Sequence, residues 1–303
     1  MPQLLVGAKF DFMGRRKYAF MASGLLLLIS VISLLAHGGP RLGIDFKGGT
    51  CVQVLFDRSV RIDEVRAALS DAGVESAEIQ TVASQYGENR EILIRMQHDP
   101  ARDPFGTVKA AIQEKIPDLG IDLRRQETVG PKIGKELRGK AVWAVLWALV
   151  GIMLYVSWRY EFKFAVGAVL ALFHDIVVVL GLFSLLNVEI SLTIIAAFLT
   201  IGGYSINDTI VVFDRIREQM RTYRREKLFV VFNMSINQIL SRTVITSLTS
   251  LFAVASLYVL GGEVLHDFAF AILIGIVVGT YSSVFVASAS VLEFAAFTTK
   301  RAR

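Results

Sequence analysis

Six apolar runs, each near the length of a bilayer crossing, constrain this chain more than any other feature. A helix rising about 1.5 Å per residue needs about 20 apolar residues to cross the hydrocarbon core. Runs of that kind fall at 18–36, 141–158, 164–186, 190–213, 239–260 and 264–289. Of the 303 residues, 53% are hydrophobic and 19% charged, with a mean hydropathy of +0.53, whereas soluble domains carry about 25% charge. The sequence therefore predicts a polytopic α-helical membrane protein with six transmembrane helices. The first run follows Arg15-Arg16-Lys17, as a signal peptide would. It is longer than an h-region of about 7–15 residues, and reads as an uncleaved anchor.

Lysine and arginine in short loops set orientation, because positive loops stay in the cytoplasm. The N-terminus holds Lys9, Arg15, Arg16 and Lys17; the turn after the second span holds Arg159 and Lys163. Arg215, Arg217, Arg221, Arg224, Arg225 and Lys227 follow the fourth span, and Lys300, Arg301 and Arg303 follow the sixth. The connections Asn187–Glu189 and Gly261–Glu263 hold none. An even number of spans with this asymmetry puts both termini in the cytoplasm. The expected organisation is a cytoplasmic N-terminus (1–17), a first span (18–36), an outer domain (37–140), a five-helix bundle (141–289) with a basic cytoplasmic loop (214–238), and a cytoplasmic tail (290–303). The basic clusters account for the net charge of +5 and would touch anionic lipid. No aromatic stacking pattern accompanies them, so a nucleic-acid partner is not expected.

Residues 38–138 carry 15 basic and 16 acidic side chains, unlike the membrane part. Val65, Ala68 and Leu69, and Val108, Ile112 and Ile116, recur at helical spacing. They predict helices near 62–72 and 105–116. Alternation of Ile92 and Ile94 with Leu93 and Arg95 predicts a strand at 91–96. Further strands are expected near 50–56, 76–82 and 121–127. The order β-α-β-β-α-β predicts an α+β, ferredoxin-like domain between helices 1 and 2, and the topology puts it outside; the family resemblance below makes that side the periplasm. Two glycine stretches frame it: Gly43-Ile44-Asp45-Phe46-Lys47-Gly48-Gly49-Thr50, and Val129-Gly130-Pro131-Lys132-Ile133-Gly134. Glycine tolerates positive φ and tight bends, so both read as hinges or turns. The second lacks the spacing and hydroxyl residue of a phosphate loop.

Little here suggests catalysis. The lone cysteine, Cys51, excludes a disulfide framework, and His37, His98, His174 and His266 form no H-E-x-x-H pair. An intramembrane enzyme built from His174, Asp175 and a serine would lack the G-x-S-x-G setting of a nucleophile. No metal or cofactor is expected.

Ionisable residues inside the spans need a reason, since charge at the bilayer centre costs about 2.5–3.5 kcal/mol on insertion scales. Asp208 falls five residues inside the cytoplasmic end of the fourth span and Arg242 three residues into the fifth, so their matched depths predict an ion pair. Burial and a neighbouring cation act oppositely on a carboxylate. Movement of Arg242 would then switch the proton affinity of Asp208, with Asn207, Thr209, Ser241, Thr243 and Thr246 as hydrogen-bonding support. Asp175, beside His174 midway along the third span, is a further candidate. The same residues would also serve as static contacts, with Arg242 snorkelling to the interface. Gly275-x-x-x-Gly279 permits close helix approach, and Gly202-Gly203 a kink in the fourth span.

Several stretches resemble the SecD/SecF family of protein-export membrane proteins. Gly43–Thr50 resembles its G-[IL]-D-F-x-G-G-T signature, with Lys47 where the family often has threonine. Gly203–Glu218, Asn233–Thr243 and Gly275–Ser283 are similar to the fourth, fifth and sixth spans of SecF, and His174-Asp175 falls in the third. The Asn207-Asp208 pair and the 237–243 run lie closer to SecF than to SecD. The resemblance implies half of a bundle similar to resistance-nodulation-division (RND) exporters, paired with SecD. It further implies a non-enzymatic accessory of the SecY, SecE and SecG channel that uses the proton gradient to move unfolded preprotein across the bacterial inner membrane, with YidC and YajC as associates. An RND-type exporter half-subunit for small molecules or lipids is the alternative.

Overall fold

The computed structural model describes residues 9–74, 77–81, 90–97, 99 and 102–301. Ser76, Val82, His98 and Arg303 lie outside the described residues. The chain forms two compact units, Leu42–Val142 and the combination of Met1–Arg41 with Trp143–Arg303.

The smaller unit opens with a short helix, α2 (Ile44–Lys47), after the membrane helix α1 (Arg16–Ala36). Then follow β1 (Gly49–Phe56), α3 (Ile62–Asp71), β2 (Glu78–Thr81), β3 (Glu91–Met96), α4 (Pro104–Lys115) and β4 (Ile121–Val129). The β-α-β-β-α-β order is the expected one, with strands in the order β2-β3-β1-β4 and every pairing antiparallel. Strand alternation decides the face. Val52 pairs with Ile94 and Val54 with Ile92, and all four are fully buried against Val65 and Leu69 of α3 and Val108 and Ile112 of α4. Asp103 caps α4, its carboxylate accepting from Gly106 N at 2.9 Å, with Pro104 at the first helical position. The edge strand β4 carries Asp122, Arg124, Arg125 and Glu127, charges that blunt strand addition.

Both glycine stretches build one corner of this unit. Gly48 has φ +79, and a Cβ there would lie 2.8 Å from Pro131 Cα; one on Gly134 would lie 3.0 Å from Gly48 N and Phe46 O. Phe46 is buried. Thr50 and Thr128 share a hydroxyl contact of 3.1 Å across paired strands. Backbone therefore packs on backbone where the two stretches meet.

The larger unit holds α1, the part of α5 (Pro131–Arg159) from Trp143 onward, α6 (Phe162–Leu185), α7 (Leu192–Thr222), α8 (Leu228–Leu260) and α9 (Gly262–Ser282). The last continues through a π-helical turn, Ser283–Ser288, into α10 (Ala289–Arg301). Among the described residues, six helices are long and apolar enough to cross a membrane. Helix α6 is central, packing against α1, α7 and α9. Small residues set these approaches, as in lipid, where apolar surface gives no advantage to one neighbour over another. A Cβ on Gly181 would collide with Ser30 of α1, and one on Gly275 with Ile201 of α7.

Helices α7 and α8 outrun their apolar segments. The expected loop 214–238 is mostly helix, leaving 223–227 as the connection, because arginine, glutamate and glutamine sustain helix beyond the apolar stretch. One end of the bundle gathers its basic segments. Arg16 pairs with Glu293 at 2.7 Å, Arg159 with Asp214 at 3.6 Å, and Arg217 donates to Arg159 O at 3.2 Å. Phe10 exchanges two 2.8 Å hydrogen bonds with Asn237. At the other end Arg41 pairs with Glu189 at 3.4 Å, and Ile190 N donates to Arg41 O at 2.7 Å.

Gly48→Ala is expected to destabilise the smaller unit by about 1–3 kcal/mol through combined strain and crowding. Gly130→Ala, whose methyl would meet nothing within 4 Å, should be neutral. Hydrogen-exchange protection of β1 and β4 amides in the intact chain measures both.

Candidate functional site

Helix α7 buries Ile201, Ser205, Asp208, Val212 and Ile216, a spacing of three and four residues that forms one stripe. Asp208 therefore points into the bundle from near the middle of its helix. Its Oδ1 accepts from Thr243 Oγ1 of α8 at 3.2 Å, and its Oδ2 from Ser283 Oγ at 2.6 Å. Both partners are hydroxyls, which donate or accept as required. The site thus accommodates a carboxylate that accepts both bonds and a carboxylic acid that donates one.

Arg242 does not pair with Asp208. No ion pair joins them among the described residues, and Arg242 is exposed. The expected ion pair rested on matched depth, but consecutive helical residues stand about 100° apart around the axis. Thr243 takes the inward position and Arg242 the outward one. Both nevertheless line one cavity of about 250 Å³, with Tyr204, Asn207, Asp208, Val211 and Thr246. A polar seam continues from it: Tyr204 donates to Ser247 at 3.4 Å, and Ser247 meets Thr280 of α9 at 2.7 Å. Of the support expected from sequence, Thr243 bonds Asp208 and Asn207 and Thr246 line the cavity. Thr209 is buried without lining the cavity, and Ser241 is not among the lining residues either.

Asp175 lies on α6 with no solvent exposure. Its Oδ1 lies 3.0 Å from His174 Nδ1, and its Oδ2 accepts from Ser205 at 2.6 Å and Ser282 at 2.8 Å. Among the described residues, His174 Nε2 is buried without a hydrogen-bond partner. Gly279 makes room for this cluster, since a Cβ there would lie 3.2 Å from Ser205 Cβ and 3.6 Å from Asp175 Oδ2. Ser205, Ser282 and Ser283 were not singled out as site residues from the sequence. Their one signal is adjacency: Ser282-Ser283 ends the stretch that starts at Gly275-x-x-x-Gly279. Gly43, Asp45, Phe46, Gly48, Gly49, Thr50, Gly130, Pro131 and Gly134 belong to the smaller unit, where the corner described above accounts for the glycine contacts.

Comparison with known proteins gives concordant matches. Residues 108–296 match the family model described as protein export membrane protein SecD/SecF, C-terminal, and residues 33–60 match the SecD/SecF GG motif. The protein translocase subunit SecF of Calditerrivibrio nitroreducens is 43% identical over 286 residues, covering 93% of this chain and 92% of that protein. That of Magnetococcus marinus is 44% identical over 297 residues, covering 96% and 94%. The crystal structure of SecDF, a translocon-associated membrane protein from Thermus thermophilus, superposes with a TM-score of 0.86 at 42% identity over 97% of this chain. This chain spans about 40% of that longer SecDF chain.

Gly279→Val should crowd Ser205 and Asp175 and lower stability by about 1–3 kcal/mol. Gly151→Ala, whose methyl meets nothing within 4 Å, should cause no loss. Denaturation of the detergent-solubilised chain by sodium dodecyl sulfate, followed by circular dichroism, measures the difference.

Proposed function

The chain belongs to the SecD/SecF family of protein-export membrane proteins, on its SecF side, and from that premise we propose that it couples proton movement to preprotein export as one half of a SecD–SecF pair. The observation that carries the reading is the Asp208 site. A buried carboxylate satisfied by two amphoteric hydroxyls borders a cavity that a cation, Arg242, also lines. Asp208 takes up a proton from one side of the membrane and releases it to the other. Arg242 enters the cavity when the carboxylate is charged and withdraws when it is neutral, and this displaces α8 against α7.

Ionisable side chains within membrane spans face protein or water rather than lipid. The exposure of Arg242, Asn207 and Thr246 on one side of α7 and α8 supports a SecD subunit there. The chain is a multi-pass inner-membrane protein. The gathering of its basic segments at one end of the bundle supports cytoplasmic termini. The ferredoxin-like unit is then periplasmic, contacts unfolded preprotein, and moves as Asp208 cycles, while SecY, SecE and SecG supply the channel. YidC and YajC are further associates. The chain acts as an accessory to translocation, with no bond-making chemistry of its own.

Translocation into vesicles, at matched amounts of assembled complex, tests the reading. Asp208→Asn should reduce export to the level seen with the gradient collapsed. Arg242→Met should do the same, and Asp175→Asn should have a smaller effect. Normal gradient-dependent export in assembled Asp208→Asn would end the proton-carrier role.

A further inference from the structure

Two adjacent serines, the last residue of α9 and the first of the π-turn, serve two different carboxylates. Ser282 Oγ donates to Asp175 on α6 at 2.8 Å, and Ser283 Oγ to Asp208 on α7 at 2.6 Å. The helix changes its hydrogen-bonding period at this point, passing into the π-turn Ser283–Ser288. Single π-turns occur inside α-helices often at functional sites.

Each serine also has a second acceptor on its own helix. Ser282 Oγ lies 3.2 Å from Gly279 O, and Ser283 Oγ lies 3.0 Å from Thr280 O. A hydroxyl holds one hydrogen, so it serves either the carboxylate or the backbone at a given moment. The turn itself is braced from the side, with Ser288 Oγ donating to Ser283 O at 2.8 Å. The remaining hydroxyl on Asp175 comes from Ser205 at 2.6 Å, one turn before Asp208 on α7. Both hydroxyl donors to Asp175 Oδ2 therefore stand on the elements that carry or bind Asp208.

We propose that Ser282 and Ser283 are positioning residues joining two proton-binding sites, so that the protonation state of Asp208 sets the proton affinity of the His174–Asp175 pair. The inference rests on Asp208 as a proton-exchanging group. When Asp208 gains a proton on Oδ2, the new O–H donates to Ser283 Oγ, and the Ser283 hydrogen turns to Thr280 O. That reversal loads the backbone at the first residues of the π-turn and shifts Ser282 against Asp175. The pair has a place for its own proton: among the described residues Nε2 of His174 is buried and unpartnered, so a proton added there breaks no hydrogen bond within them. The groups facing Asp175 are His174 on α6, Ser205 on α7, and Ser282 with the open space at Gly279 on α9. Tyr281, whose ring lies 6.3 Å from that of His174, is tied to α1 through Ser23 and Ala19 O. Asp208 is faced by Ser283, by Thr243 and Arg242 on α8, and by Tyr204 and Asn207 of its own helix around the cavity. Arg242 is the one permanent charge in either set.

The test is a pH titration of ¹⁵N-histidine-labelled full chain, assembled with its co-purified partner in lipid vesicles, with His174→Gln identifying the resonance. Asp208→Asn should move the His174–Asp175 midpoint by about one pH unit, the scale of interacting sites. Ser283→Ala should shrink that displacement by at least about half, and Ser283→Thr, which keeps the hydroxyl, should retain it. An unmoved midpoint in Asp208→Asn overturns the proposal, as does a full displacement in the Ser283→Ala background. Where Ser283→Ala does not assemble, Ser282→Ala poses the same question from the Asp175 side, with the same two outcomes. The titration reads proton binding and not export. Loss of the midpoint shift with export still dependent on Asp208 therefore sinks this link alone. A retained shift with export indifferent to Asp208 sinks the proposed function alone.

Discussion

A polar group in hydrocarbon must find its partner within the protein, because no water is there to supply one. Asp175 and Asp208 impose that requirement on the centre of the bundle, and the packing of α6, α7, α8 and α9 answers it. Ser205, Ser282, Ser283 and Thr243 reach the two carboxylates because the helices approach closely. They approach closely because Gly275 and Gly279 place no side chain where Ile201, Ser205 and Asp175 stand. Helix packing and site chemistry are here the same contacts, so a substitution that loosens one disturbs the other.

The smaller unit obeys different physics. Its core of Val52, Val54, Ile92 and Ile94 against two amphipathic helices is the product of burial from water. Its sheet keeps a charged edge. The glycine-rich stretches, which invite a reading as loose linkers, form crowded backbone contacts at Gly48, Pro131 and Gly134. One chain thus combines a fold driven by apolar burial with a bundle in which apolar burial discriminates little and small residues and hydroxyls decide the neighbours.

Arg242 and Thr243 show how one residue of helical offset divides labour. Thr243 faces inward and satisfies Asp208, while Arg242 faces the cavity and the outside of the bundle. A charge held at the rim of a polar cavity, close to a carboxylate yet not paired with it, leaves both oxygens of Asp208 to the hydroxyls of Thr243 and Ser283.

Periodicity and length are local properties, and what depends on them was legible from the residues alone. Six apolar runs gave six long helices, the alternation at Ile92 and Ile94 gave β3, and the spacing of Val65, Ala68 and Leu69 gave α3. Depth along a helix was legible too, which singled out Asp175, Asp208 and Arg242. Azimuth between helices was not. Which side of α8 faces α7 depends on packing around the whole circumference, so Thr243 and not Arg242 became the partner of Asp208. Serines are common in membrane helices and carry no periodic mark, so Ser205, Ser282 and Ser283 acquired roles only when three helices brought them against carboxylates. The π-turn at Ser283–Ser288, a local change of helical period, falls at the place where those hydroxyls tie the helix to α6 and α7.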